Sequence, residues 1–143
     1  MKENKLIEEL IIDKPFGIYT RNGFEYVLSQ QNKYHQMNVI LVDFNNVKHM
    51  NQSMGYHEVN DLFKTVFNEL KDIFIIGRAF SGDEIFFYTD NFLYDISYII
   101  KVCKRYDLEL DSISQTFYSF ETSNLTEFLD NMTNLLHKKQ VGE

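Results

Sequence analysis

The sequence predicts an α+β fold in which helices pack on one face of a largely antiparallel sheet, in the order βαββαβ. Three observations predict it. Met37-Asn38-Val39-Ile40-Leu41-Val42-Asp43-Phe44 is a short apolar run of β-branched character, as a buried central strand requires. Ile73–Phe80 and Ile85–Tyr88 are strand-like runs separated by only Ser81-Gly82-Asp83-Glu84, which reads as a hairpin. Between them, Val59, Leu62, Phe63, Val66, Phe67 and Leu70 recur at i, i+3, i+4 and i+7, the period of an amphipathic helix.

The remaining elements follow in order. Leu6, Leu10 and Ile11 share a helical face, so a short helix is expected over residues 1–14, ended by Pro15 and followed by one domain over 15–143. A second helix from Arg21 to Asn32 turns Phe24, Val27 and Leu28 inward. After the hairpin, Phe92, Leu93, Ile96, Ile99, Ile100 and Cys103 mark another helix. Leu108–Phe120 alternates imperfectly, and its phase slips at Asp111-Ser112, so a bulge or two short strands are expected. Asn124 with Glu127 resembles a capping box opening a last helix whose inner face is Leu125, Phe128, Leu129, Met132, Leu135 and Leu136.

At 143 residues, with 44% hydrophobic and 24% charged, the chain suffices for one globular domain with its own core. That core is aromatic: 13 Phe and 9 Tyr, but no Trp. The single cysteine, Cys103, excludes an internal disulfide and fits a reducing, cytoplasmic setting. No apolar run is long enough to span a membrane, and the charged start MKENKLIEELIIDK is unlike a signal peptide. The net charge of −7 disfavours a grip on a nucleic acid polymer. Small phosphate ligands stay open, because a bound cation reverses the local field.

Two acidic positions stand out. Asp43 closes a strand that is otherwise almost wholly apolar, and Asp83-Glu84 sit in the hairpin turn. If the hairpin pairs beside the central strand, three carboxylates converge at one end of the sheet. Mg²⁺ and similar hard cations take one or two carboxylates plus substrate phosphates. Two such ions can activate an attacking hydroxyl and steady a leaving phosphate. Singly, each of these residues is also common loop punctuation; only their joint placement points to a site. His35, His49, His57 and His137 have no metal-ligand spacing and read as solvated or capping positions. Cys103 lies on the apolar stripe of its helix and reads as packing.

These residues resemble the motifs of GGDEF-domain diguanylate cyclases, along nearly the whole chain. Ser81-Gly82-Asp83-Glu84-Ile85 resembles the GGDEF signature itself, in the degenerate form SGDEI. Phe16-Gly17-Ile18-Tyr19-Thr20-Arg21-Asn22-Gly23-Phe24-Glu25 is similar to LTGLYNRRGFE. Asp43-Phe44-Asn45-Asn46-Val47-Lys48-His49-Met50-Asn51 is similar to DxDxFKxIND, and Leu135-Leu136-His137-Lys138-Lys139-Gln140-Val141-Gly142 to LYxAKxxG. The resemblance implies a ferredoxin-like palm fold shared with nucleotidyl cyclases and polymerases. It implies joining of two GTP molecules into cyclic di-GMP between two facing copies, so a homodimer at least transiently, with Mg²⁺ or Mn²⁺ as cofactor. By the same resemblance Asp43, Asp83 and the carbonyl of Phe44 would ligate metal. Asp83 or Glu84 would help deprotonate the attacking 3′-hydroxyl, Lys48 and Lys139 would hold phosphates, and Asn51 would contact the base.

The departures carry information too. The GHxxGD segment reads Gly55-Tyr56-His57-Glu58-Val59-Asn60-Asp61, so either one residue is inserted or Asn60 takes the base-reading Asp position. A carboxylate accepts from both N–H donors of guanine, whereas an amide offers one acceptor and one donor face, which could suit adenine. The RxxD inhibitory motif is replaced by Lys71-Asp72-Ile73-Phe74-Ile75, so product inhibition there is not expected. Ser114-Gln115-Thr116 stands where the family has SxG, and Glu143 where it has Arg. Two alternatives therefore stand beside the cyclase: a degenerate domain that binds nucleotide or a protein partner without turnover, and an ATP-using cyclic oligonucleotide synthase like the CRISPR polymerase palms.

Overall fold

The computed structural model describes residues 12–13, 15–31, 36–79, 83–118 and 124–142. Along the chain these form β1 (Ile12–Asp13), β2 (Ile18–Tyr19), α1 (Arg21–Ser29), β3 (Gln36–Phe44), α2 (Val47–Met54), α3 (Tyr56–Leu70), β4 (Ile75–Arg78), β5 (Glu84–Tyr88), α4 (Ile96–Lys104), β6 (Leu110–Tyr118) and α5 (Leu125–Val141). One six-stranded sheet runs β1-β2-β4-β5-β3-β6. All its pairings are antiparallel except β2 with β4, which meet in parallel at Tyr19 and Gly77. The βαββαβ core expected from the sequence is therefore present as β3-α3-β4-β5-α4-β6, and the fold is α+β.

Helices cover both faces of the sheet, not one. The reason is legible in β3, whose Val39-Ile40-Leu41-Val42 are all buried, so neither side of the strand can face water. Ile40, Val42 and Phe44 join Ile85 and Phe87 against α3 and α4. Val39 and Leu41 join Phe86 and Tyr88 against α1 and α5. Phenylalanine fills the first layer: Phe63 meets Phe44 at 5.0 Å and Phe67 at 5.9 Å, and Phe67 meets Phe87 at 6.3 Å between ring centroids. On the second face Phe24 stacks on Phe86 at 5.5 Å. There the buried Arg21 guanidinium lies 5.3 Å over the Phe86 ring and bonds Glu25 at 3.0 Å and Asp130 at 2.9 Å, which ties α1 to α5.

Several local expectations change. Ile12–Asp13, placed in the expected N-terminal helix, is a strand paired with β2; residues 1–11 and 14 lie outside the described residues. The polar stretch Val47–Met54 is a helix that its apolar pattern does not announce, since only Val47 is buried. Phe92 and Leu93 precede α4 and are exposed, because Asp95 caps the helix by accepting from the Ser97 N–H at 2.8 Å. The slip at Asp111-Ser112 is neither bulge nor break: β6 pairs with β3 without interruption from Leu110 opposite Phe44 to Tyr118 opposite Gln36. The Asn124 cap does form, its side chain accepting from the Glu127 N–H at 2.9 Å. No helix among the described residues is long and apolar enough to cross a membrane.

Gly77 on β4 is fixed by the close approach of α1. A Cβ there would fall 2.3–2.6 Å from the fully buried Phe24 side chain. Gly77→Ala is accordingly expected to lose about 1–3 kcal/mol in denaturant unfolding, the usual cost of overpacking. An unchanged midpoint would contradict this packing of α1 on the sheet.

Candidate active site

Three adjacent strands carry a carboxylate to the same register. Asp43, next to last in β3, lies opposite Glu84 on β5 and opposite Asp111 on β6. Alternation sets the face. Asp43 is in phase with Val39 and Leu41, and Glu84 with Phe86 and Tyr88, so the row points to the side covered by α1 and α5. Asp83 precedes Glu84 and is held close to β3, its carbonyl accepting from the Phe44 N–H at 3.3 Å. The hairpin is also closed by the Ala79 N–H donating to Glu84 O at 2.9 Å. Thus Asp43, Phe44, Asp83 and Glu84 do come together, as the sequence suggests. Ser81, Gly82 and Glu143 lie outside the described residues.

The charges in this cluster repel. Burial pushes the Asp83 carboxyl above its ordinary value of 3.8, the Asp43 charge pushes it further, and Arg78 pulls it partly back. Arg78 itself is committed elsewhere, donating to Asp13 at 2.8 Å and lying 4.5 Å over the Phe16 ring. Glu84 is buried, with one oxygen 2.7 Å from His137 Nε2; its other oxygen, Oε1, has no partner among the described residues. Against an ionised carboxylate the ring nitrogen is the donor.

α5 supplies the rest of the site. His137, expected from the sequence to be solvated or capping, reaches the buried Glu84. Gln140 Nε2 donates to Asp43 at 2.7 Å and to Asp111 at 3.2 Å. Lys139, assigned to phosphate by resemblance, donates to the Ser112 carbonyl at 3.1 Å. Lys48 is exposed at the start of α2. Asn51 lies on α2 and the half-buried Asn60 on α3, either side of Gly55, which joins the two helices at φ +90°. The Asn51 side-chain amide oxygen, Oδ1, is buried with no partner among the described residues, whereas its backbone carbonyl accepts from the Gly55 N–H at 3.0 Å. Sequence reasoning missed Asp111, His137 and Gln140. Its only signals were the phase slip in β6 and the i, i+3 spacing of His137 and Gln140.

Among the described residues no group of three His, Cys, Asp or Glu could hold a metal ion. A divalent cation here would have Asp43, Asp83 and backbone oxygen, with the remainder from a phosphate ligand. This donor set suits Mg²⁺, which is commonly held by one or two carboxylates plus substrate phosphates. The mutual repulsion of Asp43 and Asp83 is what such a cation relieves.

Solved structures share this architecture. A microbial GGDEF domain studied with cyclic di-GMP superposes with a TM-score of 0.68 at 14% identity, over 96% of this chain and 94% of that one. The fold is that of GGDEF domains. The coiled coil and GGDEF domain of DgcB from Caulobacter crescentus, in complex with c-di-GMP, gives a TM-score of 0.70 at 10% identity, over 99% of this chain and 86% of that one. Diguanylate cyclase SiaD from Pseudomonas aeruginosa, in complex with its activator SiaC, gives 0.67 at 12% identity, over 98% of this chain and 62% of SiaD. No protein-family model and no curated protein matches the chain.

Two outcomes follow from this electrostatics. A carboxyl whose pKa is raised by folding costs stability above that raised value, and the cost vanishes once pH falls below 3.8. Asp83→Asn is therefore expected to stabilise the metal-free chain at pH 7 by under about 1 kcal/mol for a half-buried group, read as a higher melting temperature. The gain should vanish near pH 3, and an equal gain at both pH values would contradict the repulsion. His137→Ala strands the buried Glu84 carboxylate and should cost about 1–3 kcal/mol in denaturant unfolding. His137→Gln, which keeps a donor, should recover part of that; equal losses in both variants would assign the effect to packing.

Proposed function

We propose that this chain is a GGDEF-type nucleotidyltransferase that condenses two nucleoside triphosphates into a cyclic dinucleotide, with GTP and cyclic di-GMP as the default pair. The observation that carries this reading is the convergence of Asp43 and Asp83 at the end of β3, within the fold of GGDEF domains. In each half-reaction the 3′-hydroxyl of one nucleotide attacks the α-phosphorus of the other. The bond to pyrophosphate breaks, and the hydroxyl proton passes to a carboxylate of the hairpin. Two such steps consume two triphosphates and release two pyrophosphates. Each active site holds one nucleotide, so the reaction requires two copies face to face.

Mg²⁺ or Mn²⁺, when bound by Asp43, Asp83 and the Phe44 carbonyl, would neutralise the triphosphate and lower the pKa of the attacking hydroxyl. Glu84, buried and held by His137, orients the hairpin that presents Asp83. Asn51, whose side-chain oxygen Oδ1 has no partner among the described residues, and Asn60 are the groups assigned to the base. Lys48 takes the phosphates, and Lys139 joins it after leaving Ser112 O.

A second reading has its own support. Asp43 already accepts from Gln140, and Lys139 is tied to β6. In the Gly55–Asp61 segment either one residue is inserted or Asn60 takes the position where guanine recognition prefers a carboxylate. A domain that binds nucleotide or a partner protein without turnover fits these facts; SiaD, of the same fold, is a diguanylate cyclase solved with an activator protein.

Incubation with GTP, ATP, CTP and UTP separately and in mixture, with Mg²⁺ or Mn²⁺ and mass spectrometry of the products, separates the readings. A cyclic dinucleotide is expected, lost at least a hundredfold in Asp43→Ala and in Asp83→Ala by the scale of such electrostatic contributions. Calorimetric nucleotide binding with no product from any mixture would favour the non-catalytic domain.

A further inference from the structure

We propose that Gln140 is a positioning residue for the Asp43 carboxylate and that Asp111 holds Gln140 in place; the inference rests on reading Asp43 as a cation ligand. Asp43 and Asp111 stand directly opposite each other across β3 and β6. Like charges in that relation destabilise a sheet. A primary amide carries two N–H donors. The Gln140 nitrogen lies between the two acids, 2.7 Å from Asp43 Oδ2 and 3.2 Å from Asp111 Oδ2.

The choice of donor matters. A lysine at this position would neutralise the acids and compete with a cation, whereas an amide compensates the repulsion and leaves their charge. Because Gln140 occupies Oδ2 of Asp43, Oδ1 is the oxygen left to face a cation. Gln140 is exposed, but its helix is anchored on all three acid-bearing strands. His137 bonds Glu84 on β5, Gln140 bonds Asp43 on β3, and Lys139 bonds Ser112 on β6. The polar residue at an inward phase of β6 thereby gains a role: Asp111 is the second acceptor that fixes the amide. Groups that orient a ligating carboxylate typically change metal affinity by 10–100-fold when removed.

The test is Mn²⁺ binding by the full chain, read from the loss of the free-ion electron paramagnetic resonance signal, with metal-free melting temperatures measured alongside. Gln140→Ala is expected to weaken Mn²⁺ binding by about tenfold or more. The double variant Gln140→Ala with Asp111→Asn should bind no more weakly than Gln140→Ala alone, since Asp111 acts through Gln140. Equal affinity in wild type and Gln140→Ala, whatever their melting temperatures, overturns the inference. So does a double variant that binds Mn²⁺ more weakly than Gln140→Ala alone. A wild-type chain that binds no Mn²⁺ overturns the cation reading itself, and the inference with it.

Discussion

The candidate site depends on the burial of β3. The strand is paired on both edges, with β5 and β6, and covered on both faces. A strand so enclosed has no freedom of register, because a slip by one residue would exchange its two apolar faces. Its last residues are thereby fixed, and Asp43 emerges at one defined point. The neighbouring strands are registered against it, so Glu84, Asp111 and the hairpin residue Asp83 inherit their positions from the same core.

Electrostatics at that end of the sheet are left unbalanced. Four carboxylates gather there, and the helix over them contributes an imidazole and an amide to those acids. The nearby cations are engaged elsewhere: Arg78 with Asp13 and the Phe16 ring, Lys139 with a backbone carbonyl. Among the described residues, one buried oxygen of Glu84 has no hydrogen-bond partner, an arrangement that costs free energy in the fold as it stands.

What the sequence made legible was local. The apolar run of β3, the period of α3, the hairpin around Asp83 and the Asn124 cap are all short-range patterns, and each is present. Cover on both faces was available in the unbroken apolar run Val39–Val42, but the element order reads as helices on one face of the sheet. α2 escaped notice because it buries almost nothing. The missed site residues are long-range: Gln140 meets Asp43 from 97 positions away, and His137 meets Glu84 from 53. No spacing rule reaches that far. At identities of 10–14% to GGDEF domains of the same fold, the shared architecture lies in packing pattern far more than in residue identity.

The most direct measurement is a crystal structure of the chain soaked with Mn²⁺ and a non-hydrolysable GTP analogue, with anomalous scattering used to locate the metal. A peak between the Asp43 and Asp83 carboxylates, at coordination distance from both and touching the triphosphate, is the expected result. Nucleotide bound with no ion at these carboxylates, or an ion lodged away from the end of β3, would contradict it.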